Sequence, residues 1–185
     1  LPYDLLNLGG EFGGNDTSDY LAMNPNGRVP TIWDGDFSLW ESNACVRYLS
    51  AKYGDGSLYP EKLETRADAD RWMDWQQTTL LPAYNDMHFG LIRMAPEERN
   101  QETIEASRQN TGGCMAILNE ALAEHEFVTG SLFTVADIAL GVIPYRWFAF
   151  DTSRPRHVHL ERWYSRLTER EPYRKIVMQP LPEWA

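Results

Sequence analysis

At Glu41 and Ser42, and nowhere else in this chain, a group that binds a cation and a group that binds an anion lie together beside a strand end. A strand-like segment ends at Trp40, and a helix is predicted to begin directly after it. Free amide N–H groups at that helix start, together with the Ser42 hydroxyl, would hold a carboxylate, and the Glu41 carboxylate would hold a neighbouring ammonium. The pair therefore fits recognition of an α-amino acid zwitterion. It also fits an ordinary helix start, where serine caps the helix and an acid suits its dipole.

The Val29–Pro30 dipeptide lies between a turn and the first strand of a predicted hairpin. A trans bond is the ordinary expectation, because Xaa-Pro bonds are cis in only about 5–6% of folded cases. A cis bond would turn the backbone of Val29 outward, so that its N–H and C=O could bind an extended peptide in β fashion. The residues alone leave both possibilities open.

Two further motifs are assigned no chemistry. Thr134 and Asp137 have the spacing of a capping box, with Asp in place of the usual Glu or Gln. This structural interpretation is preferred to a catalytic acid, because capping satisfies orphan N–H groups at a buried helix end. His157 and His159 offer two metal ligands without a Cys or carboxylate cluster beside them, short of the three or four that a zinc site needs. No metal site is predicted.

The composition argues against several classes of protein. The chain has 185 residues, 17 of them basic and 27 acidic, for a net charge of -10. A nucleic-acid binder needs a basic face, and an anionic membrane surface would repel the same excess of acid. No apolar run approaches the roughly 20 residues that span a bilayer. Cys45 and Cys114 lie far apart in helical segments and suggest free thiols in a reducing, cytoplasmic compartment.

The hydrophobic pattern predicts a small α/β piece followed by helices, so the fold class is α/β plus all-α. The α/β piece has a strand at 3–8 and a β-hairpin at 31–40 that turns at Asp34–Asp36. A helix follows it, and 54–64 has the composition of an interdomain linker. The later helices are predicted over 65–93 with a kink at Pro82, then 97–123, 134–149, 159–169 and from about Pro172.

The order of the motifs resembles the glutathione S-transferase superfamily, in particular its bacterial theta-related members. The segment NPNGRVP at 24–30 is followed by a hairpin and by LWESNA at 39–44. In the second half, FTVADIA at 133–139 looks like the capping box of that family, and LERWYSRL at 160–167 looks like its penultimate helix. The resemblance covers nearly the whole chain.

The resemblance implies a thioredoxin-like glutathione-binding domain over 1–55 and an all-helical domain over 65–185 on the acceptor-substrate side. Members of the family carry the activating Ser, Tyr or Cys on an opening strand and turn. The segment 3–8 looks like the second strand of that pattern, so the thioredoxin-like domain is truncated at its start here. We expect the opening strand and helix to precede these residues in the natural protein, and no catalytic residue is named from them.

The resemblance also implies the glutathione-binding residues. Pro30 would be cis, with the backbone of Val29 pairing with the cysteinyl unit of glutathione, and Glu41 and Ser42 would hold the γ-glutamyl end. Arg28 is a candidate for the glycine carboxylate or for local positive potential, because an anionic ligand must meet a cation on so acidic a protein. An acceptor pocket would include two residues of the helical domain, His88 and Leu91.

The function implied is that of a cytoplasmic, homodimeric glutathione transferase acting in detoxification. Glutathione is the co-substrate, and its ionised thiol attacks an electrophilic small molecule. Neither a nucleic acid nor a membrane is expected as a partner. Two alternatives stay open: a glutathione-dependent disulfide reductase or dehalogenase, and a non-catalytic adaptor on the same fold. Retention of Val29–Pro30 and Glu41–Ser42 favours glutathione binding over the adaptor.

Overall fold

The structure, a computed structural model, describes residues 1–150 and 152–181. It divides into two compact units, Leu1–Tyr59 and the residues from Pro60 onward. Among the described residues, no helix is both long and apolar enough to cross a membrane.

The first unit contains two α-helices, a short 3-10 helix at Gly10–Phe12 and a β-hairpin. Helix α1 (Ser18–Met23) is followed by strands β1 (Thr31–Asp34) and β2 (Phe37–Trp40), and helix α2 (Ser42–Tyr53) begins two residues after β2 ends. The strands pair antiparallel, with Thr31 opposite Trp40. The predicted hairpin is confirmed, with a turn of two residues, Gly35 and Asp36. Gly35 has a φ of 63°, which glycine adopts without a steric penalty.

The predicted strand at 3–8 is wrong. Residues 1–8 form no regular secondary structure, and residues 1–7 are exposed. A strand is stable only when a neighbouring strand takes up its backbone hydrogen bonds, and the sheet of the described residues consists of β1 and β2 alone. The apolar residues of this segment satisfy the composition of a strand, but they have no partner here.

Asp34, at the end of β1, fastens the hairpin to helix α2. Its carboxylate accepts hydrogen bonds from Tyr48 at 2.8 Å, from Lys52 at 2.6 Å and from Tyr53 at 2.6 Å. The Phe37 ring packs against Tyr48 with centroids 5.1 Å apart. The hydrogen bond from Lys52, followed by those from Tyr53 and Tyr48, lowers the pKa of Asp34 from 3.8 to about 2. The Asp34 carboxylate therefore stays ionised at neutral pH while it links β1 to α2.

We expect Asp34→Asn to lower the urea midpoint of unfolding at neutral pH, because an amide offers one acceptor oxygen and no charge to the same three donors. The folded pKa of Asp34 lies below the unfolded value, so its stabilisation is complete above about pH 4 and is lost as the pH falls toward 2. The difference between wild type and variant should therefore shrink over that range. A difference that stays constant with pH would contradict this account. Asp36→Asn, in the same hairpin, is the control for charge.

The second unit is helical. Its helices are α3 (Leu63–Trp75), α4 (Leu81–His88), α5 (Gln101–Ala121), α6 (Val135–Ala149), α7 (Val158–Glu169) and α8 (Glu171–Ile176). The prediction of one long helix over 65–93 is close to what is observed, since π-helical turns at Gln76–Leu80 and Phe89–Arg93 continue α3 and α4. Pro82 stands at the first turn of α4, directly after the first π-helical turn. Inside a continuous helix a proline removes one backbone hydrogen bond, and here it directly follows the π-helical turn, a common site of helix irregularity.

Helix α6 is central to the core of this unit, as its uniformly apolar sequence predicted. It packs against α3 and α7, and most of its residues are buried. The largest fully buried side chains of the unit are Trp147, Trp163, Tyr84, Phe150, Met73, Leu80, Met87, Met115, Leu118, Leu122, Leu140 and Leu160.

Candidate functional site

The turn that precedes Val29 is held by two buried polar side chains. The Asn24 amide donates to the carbonyl oxygen of Arg28 at 2.6 Å and to the Thr31 hydroxyl at 3.2 Å. The Tyr20 hydroxyl also donates to the Arg28 carbonyl, at 2.7 Å. Both side chains are 3% exposed. These buried hydrogen bonds therefore fix the conformation of the chain that enters β1. Asn24, the first residue of the NPNG segment, has this structural role.

The Val29–Pro30 peptide bond is cis, as the family resemblance implied. Val29 is 54% exposed. Within the described residues, neither its N–H nor its C=O makes a hydrogen bond. An exposed residue with an unused donor and acceptor next to a strand can pair with an extended peptide.

Glu41 is the one non-glycine residue of the described chain with a positive φ, 71°. Its carbonyl oxygen accepts the first hydrogen bond of helix α2, from Cys45 N–H at 2.9 Å. Its carboxylate does not cap the helix, and both Glu41 and Ser42 are exposed. Such a backbone costs about 1–3 kcal/mol and tends to be kept where function requires it. The strain points to Glu41 as a functional residue.

The register of the hairpin brings the two motifs together. Thr31 pairs with Trp40, so Pro30 and Glu41 each lie one residue beyond this last pair. The unused backbone of Val29 and the acidic strand-to-helix junction are therefore at the same end of the hairpin.

Arg28 is exposed beside this end of the hairpin. Its carbonyl is held by Tyr20 and Asn24, while its guanidinium forms no ion pair within the described residues. Its side chain is therefore available to a negatively charged ligand.

The two residues predicted for the acceptor pocket lie in the second unit. His88, at the end of α4, is half-buried, and its Nδ1 lies 3.2 Å from the Tyr84 hydroxyl. Burial, then the charges of Arg146 and Arg93, lower the pKa of His88 to about 4. Leu91 is half-buried one turn later, and its carbonyl accepts a hydrogen bond from Arg99 at 3.2 Å. Tyr84 and Arg146 were not singled out from the sequence, although Tyr84 lies four residues before His88 on the same helix.

A groove of about 300 Å³ lies along the line where helices α4 and α5 pack together. It is lined by Pro82, Ala83, Asp86, Glu102, Thr103, Ala106, Ser107 and Asn110. Its charged side chains are both acidic, so the groove is unsuited to an anionic ligand. Within residues 1–150 and 152–181, no three or more His, Cys, Asp or Glu side chains cluster as metal ligands would.

Thr134 and Asp137 form the capping box at the start of α6, with the Thr134 N–H donating to Asp137 Oδ2 at 2.9 Å. The other carboxylate oxygen accepts from the Val128 N–H at 3.1 Å and from the Trp163 indole at 2.8 Å. Asp137 is 1% exposed. Every acceptor direction of this carboxylate is engaged by structure, which leaves none for a substrate.

Comparison with known proteins places both units in one family. Residues 2–51 match the glutathione S-transferase N-terminal domain, and residues 80–171 match the glutathione S-transferase C-terminal domain. The glutathione S-transferase GstB of Escherichia coli K12 is 44% identical over 183 residues, which are 98% of this chain and 88% of that protein. The chain belongs to the glutathione S-transferase family.

Solved glutathione S-transferases show the same fold. The theta class enzyme of Xanthomonas axonopodis pv. citri, crystallised with glutathione bound, is 44% identical and superposes with a TM-score of 0.91 over 96% of this chain and 85% of that one. The Bombyx mori glutathione transferase BmGSTD1 is 32% identical, with a TM-score of 0.76 over 88% and 75% of the two chains. The expected thioredoxin-like domain followed by a helical domain is thereby confirmed for this glutathione S-transferase.

Proposed function

We propose that this protein binds glutathione and transfers it to an electrophilic small molecule. The observation that carries the proposal is the register of the hairpin, which brings the segments that carry Val29 and the Glu41–Ser42 junction to the same end of the hairpin. These are the groups that a γ-glutamyl tripeptide requires, and the chain that carries them belongs to the glutathione S-transferase family.

Each part of glutathione meets a matching group in this proposal. The N–H and C=O of Val29, next to cis-Pro30, pair with the cysteinyl unit in β fashion. The Glu41 carboxylate binds the ammonium of the γ-glutamyl end, and the Ser42 hydroxyl with the first N–H groups of α2 binds its carboxylate. Arg28 meets the remaining negative charge, that of the glycine carboxylate, on a protein whose net charge is otherwise strongly negative.

The nucleophile in this proposal is the thiolate of glutathione. Cys45 and Cys114 are free and buried, and burial raises the pKa of both thiols. A buried, neutral thiol is a poor nucleophile, so neither cysteine is suited to a disulfide-exchange cycle. His88 and Leu91 are proposed to line the acceptor side, and the free thiols fit a cytoplasmic location.

Retention on immobilised glutathione, followed by turnover of a chlorodinitrobenzene, tests the proposal. We expect the purified protein to be retained, to be eluted by free glutathione and to release chloride as the thioether forms. A protein that is retained but turns over only mixed disulfides would be a reductase, and one that is neither retained nor active would be an adaptor. We also propose a homodimer, for which sedimentation equilibrium should give twice the subunit mass.

A further inference from the structure

A second cavity adjoins the groove between helices α4 and α5. It has a volume of about 210 Å³ and is lined by Asp86, Phe89, Gly90, Met94, Asn100, Thr103 and Ile104. Two of these residues, Asp86 and Thr103, also line the groove of about 300 Å³ described above. We call the second cavity the apolar hollow and the first the acidic groove. Because they share two walls, one small molecule can occupy both.

The apolar hollow exposes hydrophobic side chains that the fold leaves uncovered. Phe89 is 56% exposed and Met94 is 40% exposed. Gly90 brings the chain after α4 close to α5, since a Cβ at this glycine would lie 2.5 Å from the Ile104 side chain. Phe89 also begins the π-helical turn Phe89–Arg93, an irregularity that is frequent at functional sites. An apolar ligand group in the hollow would remove Phe89 and Met94 from water and be stabilised by that burial.

The carboxylates of these cavities have no cation to pair with. Asp86 lies where the hollow meets the groove, and Glu102 lines the groove alone. Within residues 1–150 and 152–181, neither carboxylate forms an ion pair. Among the same residues, no lysine or arginine lines either cavity. On a protein of net charge -10, two unpaired carboxylates in one concave surface attract a cation and repel an anion.

We propose that the acidic groove and the apolar hollow together bind an organic cation, an amine or quaternary ammonium ion attached to an apolar body. The apolar body lies in the hollow against Phe89 and Met94, and the ammonium group meets Asp86 at the shared wall. Glu102 adds to the negative potential of the groove and would pair with a second ammonium in a diamine. None of these residues belongs to the set proposed to bind glutathione, and the site does not depend on the transferase function.

Three compounds with one apolar body test the charge preference. Phenylbutylamine is a cation at neutral pH, phenylbutanol is neutral and phenylbutyrate is an anion. In isothermal titrations at low ionic strength, we expect the amine to bind about fivefold or more tightly than the alcohol, and the acid to bind least. High salt should weaken binding of the amine and leave that of the alcohol unchanged, because exposed charges are screened.

Variants of the cavity walls separate the two parts of the site. Asp86→Asn should lower the affinity for the amine about fivefold, the upper end for an exposed ion pair, without changing that for the alcohol. Glu102→Gln should lower the affinity for the amine by a smaller factor. Phe89→Ala should weaken the amine and the alcohol by similar factors, because the apolar body is common to both.

The control for charge is Glu97→Gln. Glu97 lies in the short helical turn Pro96–Glu98 between α4 and α5, is exposed, and lines neither cavity. Its loss changes the net charge by the same amount as Asp86→Asn, and the variant should bind the amine like wild type. Urea unfolding of each variant shows whether the fold is intact.

Several outcomes would overturn the proposal. Wild type that binds the amine no better than the alcohol has no cation site, and equal losses in Asp86→Asn and Glu97→Gln would indicate attraction by net charge alone. A change in sedimentation of Asp86→Asn would assign the groove to a second copy of this chain. A protein that is not retained on glutathione but binds phenylbutylamine through Asp86 would refute the proposed function and confirm this site.

Discussion

Replacing Glu41 by glycine should weaken glutathione binding at least about tenfold and at the same time raise the free energy of unfolding by about 1 kcal/mol. The two effects have different origins. The first is loss of the carboxylate that is proposed to hold the γ-glutamyl ammonium. The second is relief of backbone strain at a φ of 71°, because glycine adopts this angle without a Cβ clash. Part of this gain in stability is offset by the conformational entropy that glycine adds to the unfolded chain.

Two more substitutions separate the side chain from the backbone. Glu41→Gln keeps the shape and the strain but removes the charge, so it should lose binding without gaining stability. Glu41→Ala should behave in the same way, because alanine still carries a Cβ at the positive φ. Isothermal titration with glutathione and urea unfolding measure the two quantities on the same samples.

The control for Glu41 is Asp36→Asn, which changes the net charge by the same amount. Asp36 lies in the hairpin turn and is separated from Glu41 by the four residues of strand β2. The Asp36→Asn variant should bind glutathione like wild type. The proposal for Glu41 fails if Glu41→Gln binds glutathione as tightly as wild type. Separately, a Glu41→Gly variant less stable than Glu41→Ala would show that the backbone at Glu41 is not strained.

Asp137→Ala should destabilise the helical unit by about 3–5 kcal/mol, the range seen when one partner of a buried charged network is removed. The carboxylate, 1% exposed, accepts from the Val128 N–H, the Trp163 indole and the Thr134 N–H. Removing it leaves three buried donors without acceptors. Burial raises the pKa of Asp137, and the hydrogen bonds from Thr134, Val128 and Trp163 oppose that rise.

The effect of Asp137→Asn distinguishes hydrogen bonding from packing. Asparagine has nearly the volume of aspartate, but its NH₂ group would face donors on one side of the site, whichever way the amide is turned. We therefore expect a loss of at least about 1–3 kcal/mol from this variant too. Urea unfolding followed by tryptophan fluorescence measures both. Glu124→Ala, at an exposed position of the same unit, is the control and should change the stability by less than about 0.5 kcal/mol. An Asn variant as stable as wild type would show that the network contributes little beyond shape.

The two sites explain why acidic residues of similar appearance in the sequence have different roles. Glu41 is exposed and strained at a strand-to-helix junction and has no side-chain partner among the described residues, whereas Asp137 is buried and accepts hydrogen bonds at both carboxylate oxygens. An acid with no hydrogen-bonding role in the fold is available to a ligand, and an acid surrounded by protein donors is not. This contrast supports Glu41 as a binding residue and Asp137 as a structural one.

Local patterns were sufficient to predict much of this molecule. The turn residues at 34–36 determined the hairpin, the periodicity of apolar residues determined the helices, and the apolar sequence of α6 predicted its burial. The Thr134–Asp137 capping box was also visible, because its interaction spans only three residues. These features depend on neighbours in the sequence, so the sequence by itself contained their cause.

Features that depend on distant residues were decided only by the tertiary structure. Residues 3–8 have the composition of a strand, yet without a partner strand they form none. The approach of Val29–Pro30 to Glu41 follows from strand register, and the unused backbone of Val29 follows from the conformation that Tyr20 and Asn24 fix. Pairing and packing create these contacts, and no local pattern of residue types specifies which distant groups will meet.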